Sequence, residues 1–193
     1  MTTQTPATPA SGALRPGGWP LLGSVLAGAL IAVSLGVYAR THPPARRETV
    51  QLLFSGTLPF KAWTTHLILA LAIFQLLSAL SMYGRLRPGR AVPGWLGLAH
   101  RLSGTVAFLT SLPVAFHCLW SIGFTPVADL RAGVHAVLGC VFYGAIVIKV
   151  AAVRGTGLPG WVLPAVGGTV FATLVGLWLT SSLWFFTTVG VVW

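Results

Sequence analysis

The chain has 193 residues, of which 55% are hydrophobic and only 7% charged. Soluble domains carry about a quarter charged residues, so this chain could not cover a water-facing surface. Its net charge of +10 comes from 12 Lys and Arg against Glu48 and Asp129. The basic residues sit in short connections and near helix ends without interleaved aromatics, where lipid headgroups account for them and nucleic acid is excluded as a partner.

Residues 1–18 are rich in Thr, Pro, Ala and Gly and show no apolar period, which predicts a disordered amino-terminal tail. The first apolar span covers residues 19–38. Within it Ser24, Gly28, Ala32 and Gly36 recur at every fourth position, a small-residue stripe that lets another helix approach closely. The Val-Tyr-Ala run before Arg40 resembles a signal-peptidase site, but Arg15 is the only charge ahead of a long apolar run, which reads as a retained anchor. Residues 40–61 form the longest connection, holding His42, to which no role is given. Residues 50–60 are too short to span and are placed at the interface.

The second span covers residues 62–83, with His66 near its start and Gln75 near its middle, where it bridges helices. A basic turn with Arg85, Arg87 and Arg90 follows. The third span is residues 98–122, the fourth 132–153 and the fifth 162–186. Lys149, near the end of the fourth, snorkels. Trp178, Trp184, Phe185 and Phe186 mark an interfacial aromatic belt at the end of the fifth. The expected fold is all-α: one transmembrane domain over residues 19–193, an up-and-down bundle of about five helices in a lipid bilayer. The distribution of Lys and Arg puts the amino terminus inside.

Ionisable side chains within a bilayer are functional-site candidates by default. His66 near the start of the second span, His117 near the end of the third and His135 near the start of the fourth fall at one depth. His100 lies at the opposite face, about 25 Å from His117 at the helical rise. Two histidines from different helices at one depth are what axial ligation of a b-type haem requires. His100–Gly104 and His135–Gly139 are both His-x-x-x-Gly, and positions i and i+4 share a helix face, so each glycine leaves room beside its imidazole. Pro113, one turn before His117, removes a backbone hydrogen bond and re-aims that residue.

The ligand pair is either His117 with His135 or His66 with His135. Adjacent helices packed about 8–10 Å apart leave no room for a macrocycle between them, so a haem must wedge them open or be gripped from diagonal helices. His66, His117 and His135 are equally the candidate metal ligands. Cys118 and Cys140 read as small fillers, or, with His117 and His135, as a soft copper or zinc site. No Ser/His/Asp arrangement, phosphate-cradling loop or carboxylate pair is present, which excludes hydrolysis and ATP-driven work.

The runs HRLSG, LPVAFHC, HAVLGCVFYGAIVIKV, LPGWVLPAVGGTVF and LWLTSSLWFF resemble an uncharacterised family of small multi-pass membrane proteins from actinobacteria. That resemblance implies the bacterial plasma membrane and no assigned activity. The helix-end histidines are more distantly similar to the transmembrane b-type cytochromes, the ascorbate-reducible and ferric-reductase-like group. Those hold two haems with four histidines. Here the fifth span has no histidine and His100 has none at its depth, so the resemblance implies one haem b at most.

The leading expectation is a membrane electron-transfer protein, a subunit of a membrane oxidoreductase that exchanges electrons with a quinone or a redox protein. Two alternatives stand beside it. One is a non-catalytic accessory or assembly subunit held in a larger membrane complex by the stripe on the first helix. The other is a transporter or metal-handling protein.

Overall fold

The computed structural model describes residues 18–45, 51–123 and 129–193. Five helices in it are long and apolar enough to cross a membrane. They are α1 (Gly18–Thr41), α2 (Thr57–Met82), α3 (Leu96–Ile122), α4 (Leu130–Arg154) and α5 (Val162–Thr188). Among the described residues there is no strand. The tail lies, but for Gly18, outside the described residues.

The helices begin and end where local chemistry directs. α2 opens at Thr57, so part of the segment assigned to the interface is its first turn, where Pro59 is tolerated because that N–H needs no helical partner. α3 stops at Gly123, whose φ of 68° and ψ of −174° lie in a region open essentially to glycine alone. A side chain there would also strike Pro44, whose Cβ lies 2.9 Å from the position a Cβ would take. α4 is capped by Asp129, whose Oδ1 accepts from the Arg131 N–H at 2.9 Å, satisfying a donor the helix leaves open.

Spatial order differs from chain order. The close pairings are α1 with α4, α4 with α5, α5 with α2, and α2 with α3. The first helix therefore packs against the fourth. Its stripe does this directly: a Cβ on Gly28 would sit 2.5 Å from the Gly144 carbonyl oxygen, and one on Gly144 would sit 2.6 Å from the Gly28 oxygen. Ser24 is buried on the same face. Two glycines in register bring the backbones into contact, the small-residue packing that stands in for a hydrophobic drive inside lipid. Ile68 and Ala72 of α2, Phe142 of α4 and Leu174 of α5 make the central core.

α3 is held almost wholly by α2, and a gap opens between α3 and α4. Two segments near this gap leave the α-helical pattern. His117–Ile122 at the end of α3 and Leu179–Leu183 within α5 are π-helical. Such turns are rare and concentrate at functional sites.

Candidate functional site

The gap is a cavity of about 400 Å³ with walls from all five helices, within the size range of small-molecule sites. Side chains bridge it at two levels. Deeper in the bundle, Tyr143 Oη of α4 donates to the Ser111 carbonyl of α3 at 3.0 Å and lies 2.9 Å from Ser111 Oγ. Nearer the end, Cys118 Sγ of α3 faces His135 Nε2 of α4 at 4.0 Å. Both π segments contribute to the wall, through Cys118, Leu119 and Ile122 on one side and Thr180 and Ser181 on the other.

The orientation of His135 follows from its neighbours. Thr180 Oγ1 has one hydrogen, and it goes to its own helix, to the Gly176 carbonyl at 2.7 Å. With that hydrogen on the carbonyl, the oxygen accepts from His135 Nδ1, 2.9 Å away, in the tautomer that carries its proton there. A neutral imidazole protonated at Nδ1 has its lone pair on Nε2, the nitrogen that faces Cys118. In that tautomer the ring turns Nε2 to the cavity side, the arrangement found where a histidine ligates a metal and its second nitrogen is tied down.

The cavity's end is polar. Arg131 donates to the Thr180 carbonyl at 2.6 Å and to Asp129 Oδ2 at 2.8 Å, and lies 3.8 Å above the Trp184 ring. Lys61, buried on α2, also lines the space, and its ammonium lies within reach of Cys118.

Of the histidines named from sequence, only His135 is on this wall. His117 is fully buried, its ring edge-on to Phe60 at 5.8 Å and to Phe116. His66 is exposed on the outer face of α2, where its Nδ1 accepts from Trp178 Nε1 at 3.1 Å among Trp63 and Phe186. The three share a level of the bundle but point in three directions. Neither the His117–His135 pair nor the His66–His135 pair faces one space. Among the described residues no three His, Cys, Asp or Glu side chains converge as a metal-binding group.

His100 belongs to the α2–α3 seam at the other end, where its Nδ1 lies 2.7 Å from Ser78 Oγ. Gln75 Nε2 donates to the His100 carbonyl and to Ser103 Oγ, so Gln75 bridges helices as its position suggests. Gly104 makes room for that bridge: a Cβ there would meet Gln75 Oε1 at 3.0 Å. Gly139, by contrast, lines the cavity beside His135.

The aromatic cluster at the end of α5 divides. Trp178 and Phe186 join the outer group around His66, while Trp184 and the buried Phe185 line the cavity. Sequence reasoning missed Thr180, Lys61, Arg131 and Tyr143 as site residues. Arg131 stands four positions before His135, so a shared helix face was available as a signal. Thr180 offered none, since it comes from another helix.

One finding places the protein among others. A family model matches residues 21–193. The chain belongs to the DUF6529 family, a family of unknown function. No curated protein and no solved structure matches it. The DUF6529 match covers the last four spans, the first from residue 21 on, the cavity and both π segments, so the site described here lies within the matched region.

Proposed function

We propose that this DUF6529 protein is a membrane electron-transfer protein whose redox group sits in the α3–α4 cavity with His135 as its anchor. The observation that supports it is a single one. His135 presents Nε2 towards a cavity of about 400 Å³, while Thr180 holds the other nitrogen at 2.9 Å.

A haem b is the group we propose for this donor, with His135 as the residue that would hold it. The bis-histidine arrangement does not fit, because His66 and His117 are off the wall. A haem bound there would supply one-electron chemistry, with a quinone or a redox protein of the bacterial plasma membrane as its partner. The chain's own residues do the rest. Thr180 fixes the imidazole and raises its basicity as a ligand. The apolar walls exclude water, and Gly139 keeps the space beside the ring open. Relation to the transmembrane b-type cytochromes is part of this reading and rests on the same residue. The accessory-subunit alternative loses its motivation, because α4 already covers the stripe on α1.

The test is the reduced-minus-oxidised absorption spectrum of the purified protein supplied with haem. Wild type and His66→Ala should show the bands of a b-type haem, and His135→Ala should not. A wild type without bands, or full bands in His135→Ala, overturns the reading.

A further inference from the structure

We infer that Cys118 is the second protein ligand of the metal held at His135, so that a sulfur and an imidazole grip it from facing helices. The inference rests on the reading of His135 given above and adds what stands opposite it. Cys118 Sγ of α3 and His135 Nε2 of α4 face each other across the cavity wall at 4.0 Å. That is close to the span of one metal atom. Bonds of about 2.3 Å to sulfur and 2.0–2.1 Å to an imidazole nitrogen set two donors about 4.3 Å apart when they lie in line. The metal replaces the one proton that thiol and imidazole hold between them, and binding releases it.

Each donor has a supporting contact behind it. Thr180 holds His135 Nδ1 at 2.9 Å, and the buried Lys61 of α2 hydrogen-bonds the Cys118 sulfur. A cationic donor offsets the charge of a thiolate in low dielectric, and contacts of this kind orient metal ligands and tune the metal. Cys118 and Thr180 also both lie in the π segments.

The number of donors narrows the metal. Among the described residues no third His, Cys, Asp or Glu joins the pair. Two are too few for zinc, which takes three or four protein ligands. They suffice for a haem iron, whose remaining positions the porphyrin fills, and for copper(I), which soft sulfur and imidazole ligands select.

The test loads the purified protein with ferric haem or, separately, with copper(I) under ascorbate, and reads the ligand shell by X-ray absorption at the iron or copper edge. Wild type and Cys140→Ser should show a sulfur scatterer at about 2.3 Å. Cys118→Ser and Cys118→Ala should lose it. Their metal affinity should fall about tenfold or more, since losing even a supporting contact costs about 10–100-fold at metal sites. Protoporphyrin IX without iron offers no metal to either donor, so its uptake should be equal in wild type and Cys118→Ala.

A sulfur shell on haem iron supports both readings. One on copper alone, in a protein without haem bands, leaves Cys118 as a ligand and overturns the haem. Haem bands without a sulfur shell do the reverse. A sulfur shell that survives in both Cys118 variants overturns the inference, and so does an equal loss of haem and iron-free porphyrin from them, which would make Cys118 a shaper of the cavity alone. Binding of neither metal overturns both readings.

Discussion

His100 and His135 are set up alike and end differently. Each precedes a glycine by four positions, and each has its Nδ1 beside a hydroxyl that also reaches a backbone carbonyl of its own helix. For His100 that hydroxyl is Ser78, donating to Gln75 O at 3.1 Å. For His135 it is Thr180, donating to Gly176 O. What differs is the neighbour opposite the glycine. At Gly104 it is the Gln75 amide, which fills the space and ties α2 to α3. At Gly139 the nearest atom to an added Cβ is Leu177 Cδ2 at 4.0 Å, and beyond lies the cavity. The motif supplies room beside an imidazole, and the facing helix decides whether a side chain or a ligand uses it.

The sharpest way to break this comparison is to fill both glycines. Gly104→Leu should overpack the Gln75 bridge and lower stability by about 1–3 kcal/mol, read as a fall in the melting temperature in detergent. Gly139→Leu should leave the melting temperature unchanged or raised and instead block uptake of protoporphyrin IX. Equal destabilisation at both positions would show that the cavity is no more open than the seam. A smaller effect separates the hydroxyls. Thr180→Val removes a hydrogen bond worth about 1 kcal/mol, and it should also weaken ligand affinity at His135 by about 10–100-fold, as loss of such a supporting contact does at metal sites. Ser78→Ala should have the smallest effect, about 0.6 kcal/mol for an interhelical hydrogen bond in a membrane protein, with no change in ligand uptake. Loss of uptake in Ser78→Ala would move the site to the other end of the bundle.

Reading along the chain recovers some of this and not the rest, for identifiable reasons. Hydropathy alone locates all five spans, because each must be apolar for about 20 residues to cross a hydrocarbon core. Depth is legible too: helical rise brings His66, His117 and His135 to one level. Direction is not. Which way a side chain points depends on the helix beside it, and that helix is set by contacts far apart in sequence. Gly28 announces a close approach, yet nothing near it says that the partner is Gly144, over a hundred positions on. With α1 against α4 and α3 against α2, the face of α4 that carries His135 and Gly139 looks into a gap, whereas His66 looks outward. The π segments add to the difficulty, since composition gives no sign of them and His117 stands at the start of one.

Those two segments also say how the site is aimed. An α-helix turns about 100° per residue, and a π turn takes in a residue without advancing the face by that amount. Cys118 and Thr180, the groups that meet the two nitrogens of His135, both lie within these wound-in stretches. Their aim is thus a matter of arithmetic along the chain, a question of how many residues are counted into a turn rather than which rotamer each adopts. Removing one residue from either stretch would restore the ordinary winding there and re-aim the residues within it, while those beyond kept nearly the same face. The length of α3 and α5, and not only their composition, is then under constraint at this level of the membrane. In related chains an insertion or deletion within either stretch would change the wall of the cavity more than most substitutions could.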